Sequence, residues 1–160
     1  MTGRADRMLA DLKRAGLKLT PQRIAIVREL ADDLSHPTAQ ALFERLRAAY
    51  PTMSFATVYS TLDVLVARGL TGALGGDASS RAARFDPNVE PHHHAICDAC
   101  GSIKDIPLDA LEPANARRVS PSAPRLEGFR VLREERTYRG LCDQCTAARE
   151  DSDTEKGETT

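Results

Sequence analysis

The 160-residue sequence has no tryptophan, and aromatic residues make up only 4% of it. Core volume must therefore come from Leu, Val, Ile and Ala, which suits helices and short strands. It also has no run of about 18 apolar residues, the length a membrane-spanning helix needs. Its N-terminus, MTGRADRMLADLKRAG, is charged and amphipathic rather than signal-like. Neither a membrane span nor a secretory signal is expected, and the cytoplasm is the expected compartment. Nor is there an excess of charge of one sign, since the formal net charge is −1. That balance hides an asymmetry: residues 1–88 carry 12 basic against 9 acidic side chains, and residues 89–160 carry 10 against 14. The acidic surplus sits mostly in REDSDTEKGETT, which reads as part of a disordered tail over 148–160. A mildly basic front half is compatible with a nucleic-acid partner without demanding one.

A chain of this length makes one ordinary domain or two small ones with modest cores, which a staple would help. The four cysteines supply a candidate, spaced as Cys97-x-x-Cys100 and Cys142-x-x-Cys145. In a reducing compartment such pairs are thiolate ligands more often than disulfides, and four thiolates suit tetrahedral Zn²⁺. The 41 residues between Cys100 and Cys142 are too many for a compact ribbon. A zinc there would clamp two distant parts of a domain and be structural. Two disulfides, or a thiol switch that releases zinc on oxidation, are the competing readings.

The front half carries three helical patterns. In TPQRIAIVRELADDL, Thr20 can cap, Pro21 suits a first turn, and Ile24, Val27, Leu30 and Leu34 recur at helical spacing. A second helix follows SHPT, with Leu42, Leu46 and Ala49 on one side and Pro51 ending it. The third, SFATVYSTLDVLVARGL, starts at a Ser54 cap and ends at Gly69, with Phe55, Val58, Leu62 and Leu65 inward and Tyr59, Ser60 and Asp63 outward. The Gly-rich stretch LTGALGGDASSRAARFD after it reads as a hairpin. This order is that of a winged helix-turn-helix. In it Ser54 and Thr57 reach phosphates, Tyr59 a base edge, and the wing residues Arg81 and Arg84 follow the backbone. A plain three-helix bundle with a hairpin fits the same pattern.

In the back half HHHAIC reads as a strand, so His92, His94 and Ile96 share one face while His93, Ala95 and Cys97 share the other. His92 and His94 can chelate one ion together, and the thiolate knuckle begins on the opposite side. The stretch then serves two sites; a solvated polar run is the alternative. Histidine beside C-x-x-C also occurs in zinc deaminases. Those need H-x-E upstream of P-C-x-x-C, whereas here Glu90 precedes the histidines and no proline precedes Cys97. The chain is not expected to be an enzyme. A redox protein that binds no DNA and uses its cysteines as a zinc-releasing switch is the other rival.

LKLTPQRIAIVREL, SHPTAQALFERL, SFATVYSTLDVLVARGL, RFD, HHHAICDACGSIKDI and GLCDQC, in this order over roughly residues 8–147, resemble the ferric uptake regulator family, and most closely its peroxide-sensing branch. The resemblance implies an α+β fold: a winged-helix DNA-binding domain over 1–86 and a C-terminal α/β dimerisation domain over 87–147 with a Cys₄ zinc. It implies a homodimeric, metal-dependent transcriptional repressor of operator DNA. The regulatory ion would be held between domains by His36, Asp86, His92, His94 and Asp105, a sulfur-free set that suits Fe²⁺ or Mn²⁺. Asp105 is what the peroxide sensors have where iron-responsive members tend to carry glutamate, and no histidine follows His94 to build the extra site of many iron sensors. An iron-level repressor is the alternative. By the same resemblance, His36 and His92 are the histidines that peroxide would oxidise. Two departures stand out. Asp63 occupies a recognition-helix position where relatives often have arginine, and the 113–128 segment is longer and richer in proline.

Overall fold

The structure is a computed structural model that describes residues 3–75, 82–108, 110, 127–128 and 136–155, with side chains described to residue 149. It divides into two compact units, Met1–Val89 and Glu90–Thr160, where the sequence placed the division after residue 86. No helix among the described residues is long and apolar enough to cross a membrane.

The first unit begins with α1 (Arg4–Arg14), α2 (Pro21–Ala31), α3 (Ala39–Leu46) and α4 (Phe55–Ala67). The amphipathic N-terminus thus forms a fourth helix, and it contributes Met8 and Leu12 to the core. Hydroxyls start the other three: Thr20, Thr38 and Ser54 each accept an N–H from the first turn behind them. α1 and α4 both stop on a left-handed glycine, Gly16 (φ +76°) and Gly69 (φ +65°). Behind each, Leu17 N–H returns to the Leu12 carbonyl and Leu70 N–H to that of Leu65. Only a residue without Cβ takes that turn freely.

Three expectations are corrected here. α2 ends at Ala31, so Leu34 lies beyond the helix and is 70% exposed. The Asp33 carboxylate accepts both the N–H and the hydroxyl of Ser35, which offers the chain a local turn in place of another helical one. α3 ends at Leu46, well before Pro51, and leaves Ala49 exposed. Phe55, at the start of α4, is 41% exposed and lies edge-on to Phe43 instead of entering the core. The rest of the α4 stripe is buried as expected, with Val58, Leu62 and Leu65 at 0% exposure.

β1 (Gly72–Leu74) and β2 (Arg84–Asp86) pair antiparallel, Gly72 opposite Asp86. The wing is therefore present, and its tip, 76–81, lies outside the described residues. β2 also pairs on its other side, through a Thr38–Arg84 bridge and a Phe85 N–H to Pro37 carbonyl bond of 3.0 Å. This ties the segment before α3 to the wing.

The second unit is a three-stranded sheet of order β4-β3-β5, with β3 His93–Cys97, β4 Ile103–Ile106 and β5 Thr137–Gly140. β3 runs antiparallel to β4 and parallel to β5. α5 (Asp143–Glu155) follows, so the expected disordered tail is helical over 148–155. The turn that starts at Cys142, with Thr146 N–H bonded to its carbonyl, continues into Ala-Ala-Arg-Glu, all good helix formers. Residues 156–160 lie outside the described set.

Candidate metal centres

The register of the second sheet explains how the cysteine pairs meet. Cys97 ends β3 opposite Gly140 of β5, and Cys142 follows two residues later. Cys100 lies in the turn from β3 to β4, and Cys145 lies on the first turn of α5. Sulfurs 42 residues apart in sequence, those of Cys100 and Cys142, come within 3.8 Å. All four Sγ atoms lie within 4.8 Å of one another, and none forms a disulfide. A tetrahedron of sulfurs each about 2.3 Å from a zinc ion has edges of about 3.8 Å. The set fits that metal in number, chemistry and spacing.

The protein backbone prepares these thiolates. Cys142 N–H donates to the Cys97 sulfur at 3.3 Å. Backbone N–H groups of Cys100 and Cys142 lower the Cys97 thiol to about 6. The Ser102 hydroxyl, beside the Cys100 sulfur at 3.2 Å, lowers that thiol too. Cys145 is pushed up to about 12, first by Cys142 and then by Cys100. Four sulfurs this close cannot all carry charge without a cation among them.

The histidine strand divides as its alternation requires. His92 Nε2 lies 2.9 Å from His94 Nε2, and the two rings are 4.4 Å apart between centroids. Asp105, opposite His94 across β3 and β4, brings a carboxylate oxygen to 3.5 Å from His92 Nε2. The other ring nitrogen of His92 lies 2.6 Å from the Glu90 carbonyl, a contact that fixes the ring's rotation. His93 points the other way, accepting from Arg136 N–H and lying near Tyr138. The second unit thus presents two imidazoles and one carboxylate, both imidazoles buried.

The first unit presents one of each. The Thr38–Arg84 bridge puts SHPT beside RFD, and His36 Nε2 lies 3.7 Å from an Asp86 carboxylate oxygen, both side chains buried. His36 is the only non-glycine residue with positive φ among those described, at 54°. Two residues the sequence did not single out hold Asp86. The Thr71 hydroxyl donates to its carbonyl at 2.5 Å, and Asn88 N–H donates to its carboxylate at 2.7 Å. The Asn88 bond closes an Asx turn that the D-P-N spelling could have signalled. Nothing local to Thr71 marks it.

Of the expected DNA contacts, Tyr59 is 45% exposed on α4, beside Ser60 and Asp63, which are also exposed. Ser54 and Thr57 are joined by a 2.9 Å hydroxyl contact at the start of the same helix. Arg84 is half-buried and donates to the Ser35 carbonyl at 3.2 Å. Arg81 lies outside the described residues.

A family model described as "Ferric uptake regulator family" matches residues 14–133. The peroxide operon regulator of Bacillus subtilis is 39% identical over 139 residues, covering 86% of this chain and 90% of that protein. The structure of the Campylobacter jejuni peroxide stress regulator is 28% identical with a TM-score of 0.62, covering 86% of this chain and 98% of that one. The structure of GAS PerR-Zn-Zn is 27% identical with a TM-score of 0.50, covering 91% and 88%. A family model matched over most of the sequence, and a relative 39% identical across most of both chains, have one conclusion: the chain belongs to the ferric uptake regulator family.

Proposed function

We propose that this protein is a metal-dependent, DNA-binding transcriptional repressor that responds to peroxide through oxidation of ligand histidines. The observation that carries the reading is the separation of donor chemistry. Four clustered thiolates form one set, and the imidazole–carboxylate groups of each unit, with every imidazole buried, contain no sulfur. The 39% identity to the Bacillus subtilis peroxide operon regulator supports the branch.

In this reading Cys97, Cys100, Cys142 and Cys145 hold a structural Zn²⁺ that fastens the turn after β3 to the start of α5. His36 and Asp86 act with His92, His94 and Asp105 on one Fe²⁺ or Mn²⁺, the kind of ion that nitrogen and oxygen donors select. Iron held there would supply a centre that reduces peroxide, which manganese does far less readily. One oxygen of the peroxide would go to His36 or His92 while the other leaves as water, and a ring so modified would be a poorer donor. The histidine set would then hold its ion less tightly and the protein would lose affinity for its operator, while the cysteines keep their zinc.

The first unit is the reader of DNA. A homodimer would set two α4 helices in successive major grooves of a pseudo-palindromic duplex. Tyr59 meets a base edge, and Ser54, Thr57 and Arg81 meet phosphates. Arg84, turned to Ser35, falls outside that set. The chain works as a cytoplasmic regulator rather than an enzyme.

The test treats iron-loaded and manganese-loaded protein with stoichiometric peroxide, then maps peptides by mass spectrometry and measures DNA binding. One added oxygen on a His36 or His92 peptide, only with iron and together with loss of binding, is the expected result. Loss of binding with intact histidines and oxidised cysteines would favour the thiol switch instead. Binding that follows iron supply but ignores peroxide would favour an iron-level repressor.

A further inference from the structure

The loop that carries His36 is held more firmly than a metal ligand on a surface loop requires. Its φ of 54° lies in the left-handed region, which a residue with a Cβ keeps only when its surroundings impose it. Two side chains grip Ser35, the residue before it. From the α2 side, Asp33 accepts the Ser35 N–H at 2.8 Å and its hydroxyl at 2.5 Å. From the wing, Arg84 of β2 donates to the Ser35 carbonyl at 3.2 Å, and its Nε is buried. Asp33 is itself anchored, since Arg45 of α3 donates to its other oxygen at 2.5 Å. Just after His36, Pro37 and Thr38 pair with β2. The peptide groups on both sides of His36 are thus fixed by α2, α3 and the wing.

We propose that Asp33 and Arg84 are positioning residues for the regulatory ion: through Ser35 they impose the left-handed turn that aims the His36 imidazole. The inference rests on the reading of His36 as a ligand. It assigns Arg84 to the metal site instead of to the DNA backbone. It also gives the charged pair Asp33 and Arg45, which belong to neither the ligand set nor the proposed DNA contacts, a part in regulation. Hydrogen-bonded groups behind a ligand commonly change metal affinity by about 10- to 100-fold when removed.

The experiment uses the full-length, zinc-containing protein and Mn²⁺ as probe. Mn²⁺ affinity, the salt dependence of DNA binding at saturating Mn²⁺, and the thermal midpoint are measured for wild type, Arg84→Ala, Arg84→Lys, Asp33→Ala and Asp33→Asn. The expected result is Mn²⁺ binding weakened about tenfold or more in both alanine variants. Lysine at 84, which can still donate to Ser35, and asparagine at 33, which can still accept from it, should restore much of the loss. Metal-saturated DNA binding should keep the wild-type salt slope. Amide exchange of Ser35 and His36 in protein without Mn²⁺ should rise in the alanine variants.

A salt slope lowered by about one in Arg84→Ala, with Mn²⁺ affinity unchanged, would overturn the inference and return Arg84 to a phosphate contact. Equal losses in the alanine variants and their conservative partners, tracking the thermal midpoint, would also overturn it, as a general effect on folding. Wild-type protein that takes up no Mn²⁺ beyond its zinc defeats the ligand reading itself. Normal wild-type uptake with unaltered variants defeats only the positioning role.

Discussion

The two units bury different chemistry. In the first, fourteen apolar residues from all four helices, the α3–α4 connection and β2 form one cluster, with Leu12, Ile26, Val27, Leu30, Leu42, Val58, Leu62 and Leu65 fully covered. In the second, the buried positions among the described residues are His92, His93, His94 and Cys97. Leu and Val gain about 1.5–3 kcal/mol each on full burial and need no partner. Imidazole and thiolate gain little from leaving water and need a proton, a hydrogen bond or a cation in exchange. The first unit can therefore hold its shape by packing. The buried positions described in the second are instead groups whose stability depends on what they bind, which is where a metal can act on its structure.

Removing zinc should break this comparison most severely. In Cys142→Ser, or after chelation, the start of α5 loses its metal tie to the turn after β3, and β5 is left with its strand pairing and the Arg139–Asp98 contact. The second unit should then become open to protease while helical circular dichroism from the first persists. A structural zinc is worth on the order of 10 kcal/mol to a small module. A second unit that stays protease-resistant without zinc would show that other contacts suffice.

Leu62→Ala attacks the other side of the comparison and should cost the first unit about 2–5 kcal/mol. Zinc content per chain should not change, and a fall in zinc would mean that the two units are not energetically separable. Thr20→Ala removes the side-chain bond to Arg23 N–H and should cost about 1 kcal/mol, read as a lower midpoint of the first unit's transition.

The smallest effect is pH-dependent. Burial raises the Asp33 carboxyl, but hydrogen bonds from Ser35 and Arg45 outweigh it and hold the group below its usual 3.8. A carboxylate lowered on folding contributes stability above its unfolded value and loses it as pH falls through the folded one. The thermal midpoint of wild type should therefore exceed that of Asp33→Asn at pH 6, with the gap narrowing below about pH 4. A constant gap would assign the difference to packing.

Features spelled by neighbouring residues were legible before any coordinates. The caps at Thr20 and Ser54, the stop at Gly69, the split of His92 and His94 from His93, and the two thiolate pairs all depend on spacings of a few residues. The misplacements have equally local causes with weaker signals. Leu34 fits the α2 stripe by period, yet Asp33 and Ser35 offer a competing turn. Phe55 fits the α4 stripe, yet the first turn of a helix has less core beneath it. The tail looked too charged to order, although its first residues continue a helix begun at Cys142.

The sequence by itself determined which side chains were available and how each was locally presented: four thiolates in two knuckles, imidazoles on alternate faces, hydroxyls at helix starts. Only the tertiary structure decided which of them meet. Pairing of Thr38 with Arg84 brings His36 to Asp86 and sets the Arg84 guanidinium against the carbonyl of Ser35, 49 residues away. The parallel register of β3 and β5 brings Cys97 and Cys100 to Cys142 and Cys145. Antiparallel pairing of β1 with β2 puts Thr71 behind Asp86, where no sequence pattern pointed. Such pairings close long loops, and which distant partner repays that entropy depends on the packing of the whole unit and not on the residues beside either end.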